Sequence, residues 1–167
     1  MESVYQCFVD TARRYPEADF LHIPQACARH YSDTSIDLTY GQALATVEQL
    51  KARYLEAGYG GGHRVALLLQ NRAEFLLHWF ALNGLGCSVV PVNDEMAPQE
   101  QAYIINHSDA AVLLHLPDLA ATVAALKPLL AGGMGYQSTA EMDRLYRPGA
   151  NTASATAAPL QRECAVL

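Results

Sequence analysis

Residues 64–114 read RVALLLQNRAEFLLHWFALNGLGCSVVPVNDEMAPQEQAYIINHSDAAVLL, and this stretch decides the fold of the chain. Short apolar runs of strand length alternate here with segments long enough for helices. The predicted order is a strand at 65–69, a helix at 74–85, a strand at 87–92, a helix at 98–106 and a strand at 110–114. Strands that are apolar on both faces are typical of parallel sheets covered by helices on both sides. The sequence therefore predicts an α/β fold with a layered, mostly parallel sheet flanked by helices.

Capping patterns and apolar spacing predict further elements around this stretch. Ser3 and Thr39 each stand three residues before a glutamine, which is the pattern of a capping box, and Gly58 suits the left-handed residue that ends a helix. Asn71 and Glu74 resemble a cap and its partner for the helix after the first strand. The predicted elements are a helix at 3–15, a hairpin of 19–23 with part of 30–37, a helix from 39 to the glycine at 58, a helix at 116–130 and a short helix at 138–146.

Composition divides the chain into three parts. Residues 1–146 carry the predicted N-terminal α/β subdomain. Residues 147–159 include the small, polar string PGANTASATAAP, which predicts a flexible linker. Residues 160–167 turn apolar again, like the first half of a strand. We therefore expect the chain to be a fragment of a longer protein.

Charge and hydropathy exclude several classes of function. The net charge of -6 argues against a surface for nucleic acid or for an anionic membrane. No apolar run reaches the roughly 18 residues that a membrane span requires. The N-terminus lacks the basic and apolar regions of a secretory signal, so we expect a cytoplasmic protein.

The residues that could carry chemistry are scattered. No metal spacing is found among the four cysteines, which we expect to be free thiols, or among the six histidines. These residues are Cys7, Cys27, Cys87, Cys164, His22, His30, His63, His78, His107 and His115. His78 stands four residues after Glu74 beside Trp79 and Phe80, and the polar edge of a buried helix is a simpler interpretation of this pair than an acid–base dyad. The sequence thus predicts no catalytic residue and no metal ligand.

A phosphate-binding loop is also not recognisable. The glycines at 60–62 lie between a helix and a strand, whereas phosphates bind where a strand leads into a helix, because the free N–H groups point outward there. The three strand-to-helix junctions, after residues 69, 92 and 114, are not glycine-rich. No G-x-G-x-x-G follows the strand at 65–69, which argues against a dinucleotide-binding domain.

Four segments resemble, in order and spacing, the opening of the adenylate-forming superfamily. That superfamily contains acyl- and aryl-CoA synthetases, firefly luciferase and the adenylation domains of non-ribosomal peptide synthetases. The resemblance covers about residues 2–116. The segments are LTYGQAL at 38–44, GHRVALLLQNRAEF at 62–75, ALNGLGCSVVPVN at 81–93 and YIINHS at 103–108.

The resemblance implies an AMP-forming ligase as the parent protein. A carboxylate would attack the α-phosphate of ATP, and a thiol, usually that of CoA, would then displace AMP. The parent would use ATP, Mg²⁺ and CoA, whereas we expect none of them bound to this chain. The family's phosphate-binding loop follows a strand resembling residues 163–167, so every family residue for adenylation would lie beyond Leu167 and this chain alone would be inactive.

One loop departs from the family pattern and supplies the only cofactor-side candidates. Many CoA-dependent relatives carry Asn-Pro-Arg where this chain carries Asn93, Asp94 and Glu95. Carboxylates there would repel the phosphates of CoA. Either the acceptor thiol binds through other residues, or this loop is simply solvated and well capped.

Two functions of different class remain open from the sequence. The chain is the N-terminal part of an ATP-dependent acid–thiol ligase, or it is a stand-alone, non-catalytic α/β module that binds a partner. The first predicts that the gene continues past codon 167, and the second predicts a stop. A fragment should also expose apolar surface, so we expect self-association.

Overall fold

The computed structural model describes residues 3–149 of the chain, and these form six strands and six α-helices within that range. Three short 3₁₀ turns accompany them, at Pro117–Leu119, Lys127–Leu129 and Thr139–Glu141. The elements in order are α1 Val4–Arg14, β1 Asp19–Ile23, α2 Gln25–Ala28, β2 Ile36–Thr39, α3 Tyr40–Glu56, β3 Arg64–Leu68, α4 Ala73–Asn83, β4 Ser88–Pro91, α5 Pro98–His107, β5 Val112–His115, α6 Ala120–Leu126 and β6 Gly135–Ser138. Most of the predicted linker at 147–159 and the whole predicted strand at 160–167 lie outside the described residues.

The main sheet is four-stranded and entirely parallel, with the order β4-β3-β5-β6. Val65 of β3 pairs with Val89 of β4 on one side and with Val112 of β5 on the other. A parallel sheet needs a crossover between successive strands, and helices supply these crossovers. The predicted α/β fold with a mostly parallel sheet is confirmed.

The central strand β3 is buried on both faces. Val65 and Leu67 pack into a core with α1, α3 and α4, whereas Ala66 and Leu68 pack into a second core with α5 and α6. Each of these four side chains is at most 1% exposed. Burying a leucine side chain stabilises a fold by roughly 1.5–3 kcal/mol, so both cores depend on the unbroken apolar run that the sequence shows.

The predicted hairpin exists, but its second strand starts later than expected. β1 pairs with β2 in antiparallel orientation, with Ile23 opposite Ile36. The intervening chain forms the short helix α2, which begins directly after Pro24. The second strand is therefore Ile36–Thr39, which begins at the end of the predicted segment 30–37 and extends two residues beyond it.

The cap of α3 is confirmed, and the predicted cap of α4 is wrong. Thr39 Oγ1 accepts from the backbone N–H of Gln42, and the Gln42 side chain accepts from that of Thr39. Gly58 adopts the expected left-handed conformation, with φ of 92°. The N-cap of α4, however, is Arg72, without a side-chain cap bond. At the start of α1 only half of the predicted box forms, because Ser3 accepts from the Gln6 backbone while the Gln6 side chain bonds Asp10.

Two elements near the C-terminal end differ from the prediction. The single helix expected at 116–130 is an α-helix of seven residues between two 3₁₀ turns. Pro128 explains why the α-helix ends at Leu126, since proline lacks the backbone N–H that a continuous helix requires. The helix expected at 138–146 is wrong as well. Strand β6 ends at Ser138, and only a 3₁₀ turn follows it.

Candidate functional site

The loops that follow β3, β4 and β5 meet at one edge of the parallel sheet. Ligands of open α/β sheets bind outside the carboxyl ends of the strands, at the point where successive connections leave in opposite directions. In the strand order β4-β3-β5-β6, the connection from β3 leads to its neighbour β4, and the connection from β5 leads in the opposite direction, to β6. The switch point therefore lies between β3 and β5. A ligand site is therefore expected at this edge.

The chain's own side chains close the switch point. Arg72, after β3, forms an ion pair with Asp118, after β5, and its side chain is only 10% exposed. The guanidinium also lies over the ring of Tyr31, with its carbon 4.2 Å from the ring centroid. A cation over an aromatic face is stabilised by the ring's quadrupole. An internal ion pair thus joins the two loops that border the switch point.

This pair is one end of a longer network, which we name the carboxyl-edge network: Asp94, Gln70, Arg72 and Asp118. Arg72 Nε donates to Gln70 Oε1 at 2.9 Å, and Gln70 Nε2 donates to Asp94 Oδ2 at 2.6 Å. Its members follow three neighbouring strands, β4, β3 and β5. The network therefore ties three strand ends together.

An open cleft of about 420 Å³ lies one strand away, between the ends of β3 and β4. Phe75 and Val92 give it apolar walls, and the predicted candidates Asn93, Asp94 and Glu95 line its polar side. The structure therefore brings the three candidates together at the carboxyl edge. Their role toward a cofactor stays a prediction.

Several polar atoms of this loop are engaged within the protein. Asn93 Oδ1 accepts from the backbone N–H of Glu95 at 2.9 Å, and the Asn93 carbonyl accepts from Gln101 Nε2 at 2.8 Å. Asp94 is held by Gln70. Glu95 is exposed to solvent. A well-capped loop whose outermost carboxylate points to water fits this geometry, and among residues 3–149 no arginine or lysine lines the cleft.

His78 lies in the core and not at a polar edge. Its side chain is 4% exposed, and Nδ1 lies 2.7 Å from the hydroxyl of Tyr54 on α3. Burial lowers the pKa of His78 to about 4 and raises the pKa of Tyr54 well above its usual value, because burial disfavours both charged forms. Both groups are therefore neutral at pH 7, and neither touches the cleft.

The remaining candidates do not converge on a site. Within residues 3–149, no group of three or more His, Cys, Asp or Glu side chains is placed to hold a metal ion. No disulfide joins the cysteines of this range, Cys7, Cys27 and Cys87, and Cys164 lies outside it. The glycines at 60–62 connect α3 to β3, as predicted. In the same range, no helix is long and apolar enough to cross a membrane.

Comparison with known proteins supplies the family. The model of a family described as AMP-binding enzyme matches residues 8–162, which is most of the chain. The chain belongs to the AMP-binding enzyme family. Its curated relatives include a long-chain-fatty-acid–CoA ligase of Thermus thermophilus, 35% identical over 89 residues, and a feruloyl-CoA synthase of an Amycolatopsis species, 36% identical over 103 residues. The resemblance to adenylate-forming enzymes is confirmed.

Solved structures of AMP-binding enzymes show the same fold. The N-terminal domain of FACL13 from Mycobacterium tuberculosis matches with a TM-score of 0.73 and 21% identity, over 94% of this chain and 39% of that one. The matches to the two curated relatives span 53% and 62% of this chain, but only 16% and 21% of theirs. The matched segments thus span about a fifth of these relatives' length or less.

The phosphates of ATP or CoA do not fit the carboxyl edge of residues 3–149. An AMP-binding enzyme needs backbone N–H groups or cations for these phosphates. Here the loops that lead into α4 and α5 contain no glycine, and the cleft carries two carboxylates, Asp94 and Glu95. The one arginine in these loops, Arg72, is engaged by Asp118, Gln70 and Tyr31.

Arg72, Gln70 and Asp118 were not predicted from the sequence to be residues of this edge. No local motif marks them, because 24 residues separate Gln70 from Asp94 and 46 separate Arg72 from Asp118. One signal was available. All of them follow the carboxyl ends of predicted strands, and such residues meet at one edge of a parallel sheet.

Proposed function

We propose that this chain is the N-terminal part of an ATP-dependent acid–thiol ligase. In the parent protein, a carboxylate oxygen attacks the α-phosphorus of ATP and pyrophosphate leaves. The sulfur of a thiol, which we take to be CoA, then attacks the acyl carbonyl and AMP leaves. The observation that carries this proposal is the AMP-binding family match over residues 8–162. The relatives named as fatty-acid and feruloyl ligases support a carboxylic acid as the substrate.

The contribution of this chain is a scaffold. The carboxyl edge of its sheet offers no cradle for the phosphates of ATP, which supports the placement of the adenylating groups elsewhere in the parent. ATP, Mg²⁺ and CoA would accordingly bind to the parent. We expect the 167-residue chain alone to be inactive.

The test compares this chain with the product of its complete reading frame. Both are incubated with ATP, Mg²⁺ and a panel of acids that includes long-chain fatty acids and ferulate, and pyrophosphate release is measured. We expect acid-dependent release from the longer product and none from the 167-residue chain. A frame that stops after codon 167 would contradict the ligase proposal and favour the stand-alone binding module.

Self-association and a cytoplasmic location remain predictions. Leu55 on α3 and Tyr103 on α5 are 62% and 67% exposed on opposite sides of the sheet, and covering either of them would favour association of the isolated chain. The molar mass of the isolated chain, measured by light scattering across a concentration series, tests self-association. A strictly monomeric mass at the highest concentration would contradict it.

A further inference from the structure

The amide of Gln70 lies between two charges of opposite sign, and this fixes its orientation. Its oxygen accepts from the Arg72 guanidinium, and its nitrogen donates to the Asp94 carboxylate. The reverse orientation would set an N–H against a cation and an oxygen against an anion, so it is excluded. Because hydrogen bonds in a chain polarise one another, the bond from the Arg72 guanidinium strengthens the bond from the Gln70 amide to Asp94.

Two further observations show that Gln70 and Arg72 are held in place. The backbone of Gln70 has φ of 56°, a left-handed conformation that non-glycine residues rarely adopt. The side chain of Arg72 lies largely buried between Asp118 and the ring of Tyr31. Such backbone conformations persist where the surrounding contacts over-determine them.

The geometry points to Arg72 as a positioning residue for the cleft between β3 and β4. Acting through Gln70, it holds Asp94, and with Asp94 the polar side of the cleft that includes Asn93 and Glu95. The contact of Gln101 with the Asn93 carbonyl supports the same loop from α5. This inference stands on side-chain geometry and does not require the ligase proposal.

The sharpest test uses two variants of the 167-residue protein. The first breaks the bond between Gln70 and Asp94, and the second rebuilds it with donor and acceptor exchanged. Gln70→Glu is nearly isosteric, keeps an acceptor for Arg72 and leaves the Arg72–Asp118 pair intact, but it sets a carboxylate against Asp94. We expect amide hydrogen exchange at residues 94–96 to accelerate by roughly tenfold or more, because local opening becomes easier. Adding Asp94→Asn restores an N–H donor opposite the new carboxylate, and we expect slow exchange to return in the double variant.

A second test removes the cation. Arg72→Met keeps much of the side-chain volume, and we expect faster exchange at residues 94–96 as well as at residues 118 and 119, which follow Pro117. The matched control is Arg53→Met, since Arg53 pairs with Asp143 at 3.1 Å on the surface, where its side chain is 48% exposed. This control should leave exchange at residues 94–96 unchanged.

The outcomes separate positioning from general stability. Rescue by the double variant, together with a silent control, supports the inference. Unchanged exchange at residues 94–96 in the Gln70→Glu variant would overturn it, and so would failure of the double variant to restore slow exchange. If Arg72→Met does not fold, the comparison of the Gln70→Glu variant with the double variant still tests the inference. None of these readouts depends on pyrophosphate release, so the inference and the ligase proposal can fail independently.

Discussion

The hydroxyl of Tyr54 and Nδ1 of His78 lie 2.7 Å apart in the core, where they join α3 to α4. Both side chains are almost fully buried. The bond satisfies two polar groups that would otherwise face apolar neighbours, which is costly in a protein interior. It explains how a histidine is accommodated on a helix that is otherwise rich in apolar residues.

The buried imidazole predicts an acid-sensitive fold. The pKa of His78 is about 4 in the folded protein and about 6.5 when exposed, so the unfolded chain binds the additional proton between these values. Stability from this group is present above about pH 6.5 and is lost as the pH falls toward 4, by on the order of 3 kcal/mol. Urea unfolding of the wild type and of His78→Gln across this range measures the difference.

The variant should show a shallower loss of stability because glutamine does not titrate. Carboxylates titrate in both proteins, so only the difference between them reports on His78. His30→Gln is the control for the substitution itself, since His30 is exposed. Equal slopes for the wild type and His78→Gln would contradict the prediction.

Removing the partner hydroxyl should also destabilise the fold. Tyr54→Phe leaves Nδ1 of His78 buried without its bond, and we expect a loss of about 1–2 kcal/mol in the free energy of unfolding. Tyr59→Phe is the matched control. The Tyr59 hydroxyl is buried and lacks a hydrogen-bond partner within residues 3–149, so its removal should be neutral or stabilising. Urea midpoints that rank the two variants in the opposite order would disprove this prediction.

The capping box of α3 predicts a measurable contribution from one hydroxyl. Thr39→Ala removes the acceptor for the Gln42 backbone N–H, and loss of such a cap destabilises a protein by about 1 kcal/mol. Thr46→Ala on the same helix removes only a bond to a carbonyl one turn earlier, and we expect little change. Thermal unfolding of both variants tests the difference, and similar melting temperatures would count against the cap.

A close approach at the start of β6 predicts that Gly135 tolerates no side chain. A methyl group there would meet the ring of Tyr146, and over-packing of this kind destabilises a fold by about 1–3 kcal/mol. Gly132→Ala is the control, because nothing lies within 4 Å of its added carbon. Urea denaturation should show a loss for Gly135→Ala only. Equal stability of the two variants would mean that Tyr146 moves aside freely.

The parallel sheet was predictable because β3, β4 and β5 are apolar on both faces. Strand β6 was not, since its two buried positions are Gly135 and Gln137. The Gln137 side chain is stabilised by hydrogen bonds to the residues that follow it, for example the bond that it accepts from the Tyr146 backbone N–H. Pairing with β5 supplies the rest. A strand stabilised by such contacts leaves no apolar pattern in the sequence.

The position of the loop at 93–95 could be predicted from the sequence, but the hydrogen bonds that hold it could not. The position of Asn93, Asp94 and Glu95 after a predicted strand already put them at the carboxyl edge. The network that holds Asp94 depends on which strands are neighbours, and the order β4-β3-β5 has no local signal. The N-cap of α4 is Arg72 and not the predicted Asn71, and the Arg72 side chain bonds Asp118 without making a cap bond.

The strand order also has a consequence for synthesis on the ribosome. Strand β3 gains its first neighbour, β4, early, but its other edge stays unpaired until β5 has emerged, because Val65 pairs with Val112. Long-range pairing of this kind is slow and leaves apolar surface exposed meanwhile. We therefore expect the nascent chain to be vulnerable to aggregation, and dependent on chaperones, in the interval between the emergence of β4 and the emergence of β5 from the ribosome.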